Sequence, residues 1–463
     1  MKKIKIISTM LSVVLLFSVS SCKKYIDEDI NVNPNQPSDV PLSLLLPSLE
    51  GGLAYTTGSD MSRIPGLWIQ QVAGLANQHL VFDNYGVSES DINNMWYFNI
   101  YSTALSNANI IISKANENGS PYYAGIGKIL MAYGLGMTSD MWGDVPYSQA
   151  FKGGDDLTPG YDSQQSIYTS IQSLLTQAKN DLGAAKSTFI PGSDDLIYGG
   201  DNAKWIALAN SLSARYWIHL SKVPGSNAYQ NALDAIAAGA ITTNGDDPNF
   251  PFSDFVTEGN PWFQFNDQRA GDIGMGKFFV DLLLSLNDPR LPAYATTDAS
   301  DTAYSGSAAG AGDGGVSAMG AYASSSSSSI QIISYTELKF IEAEAKFQTG
   351  DLAGAAAAHN DGVISSLDKV GVTDTAYITA NGTETSATIS LNKIMTQKYI
   401  ALFSQCEESF TDWRRTGIPS LSLATNALTN QIPRRFPYPQ SERLHNGSNV
   451  PPASLITRVW WDQ

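Results

Sequence analysis

The groups able to drive acid–base, metal or nucleophilic chemistry are scattered along this chain. The four histidines, His79, His219, His359 and His445, stand far apart, and no two share the i, i+4 spacing of a helical zinc site. No GxSxG elbow frames a nucleophile, and no Walker loop frames a phosphate. His219 and His359 fall among apolar residues of helical stretches and read as satisfied structural histidines. The pairs Asp155-Asp156 and Asp246-Asp247 lack the alternating ligands of a dedicated calcium loop and read as turn formers. Forty-four carboxylates leave a glycosidase pair open by count, yet no motif frames two of them. We expect no metal and no cofactor.

Groups that recognise without reacting are better represented. An aromatic face stacks on the apolar face of a sugar ring, while amides and Arg hold hydroxyls. Asn260-Pro261-Trp262-Phe263-Gln264-Phe265 with Arg269 puts such groups on a Pro- and Gly-rich excursion, where helix packing absorbs aromatics less easily. The competing reading makes them that excursion's own small core. Asn77-Gln78, at the end of an early helix, and Trp96, at the start of a long one, are second candidates, Trp96 being more core than ligand site. Tyr304 and Tyr322 flank a Gly-rich stretch and could clamp a ligand. Each contact is worth about 0.5–1.5 kcal/mol, so several must converge.

The elements that would position these groups are helices. Residues 334–367 are the clearest unit. Leu338, Ile341 and Ala345 share one helical face, and Phe340, Ala343 and Phe347 a second. Gly350-Asp351 breaks the helix, and Leu352, Ala356, Val363 and Leu367 continue a second one antiparallel to it. The spacing Ala343, Phe347, Gly350-Asp351, Ala355 resembles a tetratricopeptide repeat, departing at His359 and Gly362. Such a hairpin cannot bury both faces alone, which implies a stack of helices. Further helices are expected over residues 43–57, 60–76, 90–116, 121–142, 163–185, 202–221, 227–238, 275–286 and 389–404. Residues 241–333 change character, rich in Pro, Gly, Asn and aromatics and then in Gly, Ser and Ala. They read as a long loop-rich excursion whose last part is mobile. The Pro-rich end reads as a tail wrapping the surface, with Trp142, Trp413 and Arg414-Arg415 structural, an arginine pairing Glu407 or Glu408 and stacking on Trp.

Charge narrows the partners. Residues 1–22 hold Lys2, Lys3 and Lys5 and no acid, leaving 25 basic against 44 acidic residues, a net −19. That excludes nucleic acid, whose phosphates need a basic patch. The run from Ile6 to Val19 is too short to span a bilayer and ends in Val19-Ser20-Ser21-Cys22, the pattern of a lipoprotein signal with Cys22 acylated. Three acyl chains would anchor it almost permanently. Residues 23–41 are a polar, Pro/Asn-rich tether. The other cysteine, Cys406, reads as a small buried hydrophobe with no disulfide.

Together these features resemble the SusD/RagB group of outer-membrane nutrient-binding lipoproteins of Bacteroidetes. The residues that carry the resemblance are Cys22; Met141-Trp142-Gly143-Asp144-Val145-Pro146-Tyr147; Asp288-Pro289-Arg290-Leu291; Glu337 to Ala345 with Gly350-Asp351; Glu407 to Gly417; Arg435-Phe436-Pro437-Tyr438-Pro439 with Glu442; and Trp460-Trp461. The resemblance implies one mainly α domain over 42–463. Tetratricopeptide-like pairs (42–240 and 334–405) would form a right-handed superhelical scaffold, with a variable lobe (241–333) and a wrapping tail (406–463). It implies a lid over a TonB-dependent transporter barrel that captures a glycan, oligosaccharide or peptide without catalysis, lipid-anchored in the outer membrane and facing the exterior. A surface glycan-degrading enzyme of helical fold and a protein-binding scaffold are the alternatives.

Overall fold

Short polar side chains open most of the long helices. Ser163, Asp201, Ser334, Asp351 and Ser390 each accept a hydrogen bond from a backbone N–H of the first turn they precede. The computed structural model describes residues 40–463. The signal, Cys22 and residues 23–39 of the tether lie outside the described residues.

In chain order the elements are α1 (Leu42–Thr57), α2 (Asp60–Trp68), β1 (Val72–Gly74), α3 (Asn77–Asp83), a π-helix (Met95–Leu105), α4 (Ser106–Glu117), α5 (Pro121–Trp142), α6 (Gln164–Leu182), α7 (Asn202–His219) and α8 (Ala228–Ala237). The excursion holds β2 (Asn249–Phe250), α9 (Pro261–Gln268), β3 (Ile273–Met275), α10 (Lys277–Ser285), α11 (Leu291–Tyr294), α12 (Ala321–Ser324) and β4 (Ile330–Gln331). Then follow α13 (Tyr335–Thr349), α14 (Leu352–Lys369), α15 (Thr375–Asn381), α16 (Leu391–Ala401), α17 (Cys406–Thr416) and α18 (Gln440–His445). The protein is mainly helical. Helix α5 packs on α4 and α6, α6 on α7, α7 on α8, and α13 on α8, α14 and α16. Strand β1 pairs antiparallel with β3 and ties the described chain before residue 240 to the excursion after it, while β2 pairs antiparallel with β4 inside the excursion.

Two glycines show why backbones approach closely. A Cβ on Gly136 of α5 would run into the Tyr216 ring, and one on Gly362 of α14 would sit 2.9 Å from Phe340. Gly362 and His359 are where the hairpin departs from the repeat pattern. His359 is buried, edge-on to Phe340 at 5.8 Å, with Nε2 3.1 Å from Asn381 O. Burial pulls its pKa down, so it stays neutral.

Four expectations are corrected. The helix over 60–76 stops at Trp68, because Gln70 takes a left-handed φ of +62° and Val72 joins a ladder opposite Met275. The single helix over 90–116 is instead a π-helix followed by α4, so an i, i+4 stripe does not describe residues 95–105. The Gly/Ser-rich stretch is not loose. Met275 N donates to Ser317 O at 2.8 Å and Thr296 N to Ala318 O at 3.0 Å, and Tyr322 packs on Tyr294 at 5.2 Å. The tail does more than wrap. Helix α17 is buried along its length, and Phe436, Tyr438 and Trp461 are fully buried.

Helix α17 carries a buried ionic spine. His219 lies between Asp140 (Nδ1 to Oδ2, 3.3 Å) and Glu408 (Nε2 to Oε1, 2.9 Å). Arg215 grips Glu337 in two hydrogen bonds of 2.7 and 2.5 Å. Arg415 grips Glu344 at 2.8 Å twice and Asp412 at 2.6 Å, and Lys398 meets Asp412 at 2.7 Å. The expected pairing of Arg414 or Arg415 with Glu407 or Glu408 is therefore not made. Arg414 donates to the carbonyls of Asp140 and Arg434 and lies over the Phe410 and Trp461 rings at 4.2 and 4.6 Å. Cys406 is buried, and its thiol is pushed up to about 12 by burial.

Candidate functional site

The leading sequence candidates fold inward. Asn260 caps α9, accepting from Trp262 N at 2.7 Å and Phe263 N at 3.4 Å, and Pro261 occupies the first turn. That start turns Trp262 to the interior, where it is 0% exposed with the Arg63 guanidinium 6.0 Å from its ring centroid. It offers no face to a ligand. Phe263 is half-buried beside it. The Asn260 amide is spent on Ser328 O at 2.8 Å. The Asn-Pro start was visible in the sequence, and it is the signal that α9 would be a packed helix rather than an open loop.

Three other candidates gather at one surface. Asn77 Nδ2 donates to Asp272 Oδ1 at 2.6 Å, Arg269 reaches Asp272 at 3.5 Å, and Gln78 donates to Asp91 at 2.9 Å. Asn77 and Gln78 open α3 rather than end a helix. The nearby Phe265 ring lies under Arg63 at 4.5 Å and against His79 at 4.6 Å, already engaged by protein groups. The amides of Asn77 and Gln78 are thus spent on protein carboxylates.

Open aromatic faces also flank a groove of about 490 Å³, walled by the π-helix and α4 on one side and residues 146–159 on the other. Trp96, 2% exposed, is its floor. It contacts Trp142 (5.2 Å), Tyr161 (6.4 Å) and Tyr438 (6.3 Å), and Tyr101 at 4.9 Å. The π-helix then turns the next two residues outward: Tyr97 is 58% and Phe98 55% exposed, edge to face at 4.9 Å. Eleven π-helical residues are unusual, and such geometry concentrates at functional sites. Phe151 stacks toward Tyr101 at 6.3 Å from a left-handed φ of +64°, and Leu157 on the same loop is 77% exposed. A left-handed phenylalanine is strained, and such strain clusters at ligand sites.

The polar groups of the groove suit a neutral ligand. Glu442 accepts from Tyr161 OH at 2.8 Å, and Lys152 faces Asp156 at 3.9 Å, so the charges face partners of their own. Tyr101 donates to Pro146 O at 2.8 Å, and burial and Glu442 push its phenol well above its ordinary value. Ser102, Ser106 and Asn109 add hydroxyls and an amide along the wall. Sequence reading missed Tyr97, Phe98, Tyr101, Phe151 and Leu157. The available signal was Met95-Trp96-Tyr97-Phe98, four large residues in a row that one helical face cannot bury.

A family model described as starch-binding, associating with the outer membrane, matches residues 34–439. No curated protein matches the chain. A chitin-binding SusD homologue from Flavobacterium johnsoniae is 25% identical, with a TM-score of 0.76 over 91% of this chain and 97% of that one. A SusD/RagB family protein from Bacteroides thetaiotaomicron is 25% identical, with a TM-score of 0.74 over 92% and 99%. A SusD-like protein of Bacteroidetes, 21% identical with a TM-score of 0.78, shares the fold. Among the described residues no helix is long and apolar enough to cross a membrane. The chain belongs to the SusD-like family.

Proposed function

We propose that this protein captures a glycan or oligosaccharide in the groove beside Trp96 and presents it to a TonB-dependent transporter of the outer membrane, without making or breaking a bond in it. Acylation of Cys22 would hold it at that membrane, facing the exterior. The observation that carries the binding reading is the exposed Tyr97–Phe98 pair at a groove where Lys152 faces Asp156 and Glu442 is already bonded by a phenol. A sugar ring offers aromatic stacking its apolar face and offers the groove's hydroxyls and amide its own hydroxyls. A peptide is the second ligand class that such a surface accepts.

Calorimetric titration with chito- and malto-oligosaccharides tests the reading. Tyr97→Ala should weaken binding about threefold to tenfold, the equivalent of one stacking contact, with an unchanged melting temperature. Unchanged affinity in Tyr97→Ala would remove the groove from the proposal, and release of shorter sugars from the mixture would replace capture by catalysis.

A further inference from the structure

A second cavity lies apart from the groove, under the β2–β4 ladder. It encloses about 180 Å³ between the end of α1, the ladder, α12 and the turn before α17. At about 30 Å³ per water, that is room for about six waters or one sugar ring. Its wall is mostly polar and uncharged: Thr57, Asn249, Tyr322, Ser329, Gln331, Ser404 and Gln405 line it together with the apolar Ile330. Asn249 and Gln331 are directly paired across the ladder, which sets two amides side by side.

Two features of this wall are costly unless something occupies the space. Asn249 Oδ1 is buried with no hydrogen-bond partner in the protein, so whatever fills the cavity must supply its donor. Ser404 holds a left-handed φ of +75°, a conformation that non-glycine residues adopt at a cost and that clusters at ligand sites. Gln331 Oε1 is taken by Lys369 at 2.6 Å and Gln405 at 3.1 Å, which fixes the orientation of the Gln331 amide. With no charged side chain in the wall, an ionic ligand would lose its hydration without compensation.

We infer that this cavity is a binding site for a single neutral, polyhydroxylated unit the size of one sugar ring, held by the Asn249 and Gln331 amides and entered past the exposed Ser329. The idea rests on the carbohydrate reading for its ligand class but not on the groove. Glucose and N-acetylglucosamine are the probes, followed by saturation-transfer NMR on the mature chain. Asn249→Leu removes the orphan acceptor and fills the space, and Ser329→Met obstructs the mouth from an exposed position. Monosaccharide signal should survive Tyr97→Ala and fall at least tenfold in both cavity variants, while oligosaccharide affinity follows Tyr97 alone. Absence of saturable signal in the wild type, or signal that persists in Ser329→Met and vanishes in Tyr97→Ala, would show that the cavity holds water only. Loss of oligosaccharide binding through Tyr97 with no monosaccharide effect would leave the groove standing and the cavity refuted.

Discussion

The spine around α17 and the groove beside the π-helix spend opposite kinds of residue. In the spine, Arg215, Arg415, Lys398 and His219 are buried against Glu337, Glu344, Asp412, Glu408 and Asp140, each cation matched to a carboxylate at hydrogen-bond distance. In the groove one loose ion pair, Lys152 with Asp156, stands at the rim, Glu442 has neutral partners, and rings stand open. The difference shows where strong interactions go in this molecule. They specify the packing of α5, α7, α13, α16 and α17, while the groove proposed for recognition offers weak, neutral contacts that must add up.

The sharpest way to break that division is to remove a cation from the spine. His219→Ala leaves Asp140 and Glu408 without their shared partner and should cost about 3–5 kcal/mol, read by urea unfolding. Burial alone would hold the His219 imidazole down, but Glu408 and Asp140 overcome it and raise it to about 9. A raised folded value means that the stabilisation is fully present below the unfolded value near 6.5 and is lost as pH rises through about 9. The wild type should therefore lose stability between pH 7 and 9.5, with a shallower loss in the variant. A variant as stable as wild type at pH 7 would show that the spine is not what holds these helices.

Trp262 tests the same division from the other side. Trp262→Ala empties a fully buried site and should destabilise the fold by about 3–4 kcal/mol, while the folded fraction keeps oligosaccharide affinity. Tyr97→Ala should do the reverse. If calorimetry found the ligand lost with Trp262 and kept without Tyr97, the two residues would have exchanged roles.

The helical scaffold was legible because its signals are local: apolar spacing at three and four, Ser and Asp caps, and Gly350-Asp351 between α13 and α14. The groove was not, for two physical reasons. The π-helix replaces the i→i+4 ladder over 95–105, so a 3.6 period does not tell which side chains face out, and Tyr97 turns to solvent. The second reason is long-range. Whether Trp262 is core or contact depends on Arg63, almost two hundred residues earlier, and nothing near Trp262 announces that neighbour. The partners of Arg415 were likewise hidden, because Glu344 lies on α13 while Glu407 and Glu408 sit closer in sequence on its own helix.

Glu50 sharpens the comparison further, because it is a buried acid beside another acid rather than a cation. Its Oε2 accepts from Leu196 N at 2.8 Å, and Asp195 stands next to it, held by Trp205 Nε1 at 2.7 Å and by loop N–H groups. Burial, then the Asp195 charge, pushes the Glu50 carboxyl up to about 10. It is therefore protonated in the folded chain at neutral pH and ionised in the unfolded one. Below about pH 4.5 this costs nothing, and from there toward pH 10 stability falls as the unfolded state releases a proton that the folded state keeps. Glu50→Gln supplies a neutral isostere and should gain on the order of 2 kcal/mol at pH 9 and much less at pH 5. The slope of stability against pH in paired urea titrations checks it. A variant that loses stability equally at both values would mean that Glu50 carries its charge after all and is matched by a cation, as the spine acids are.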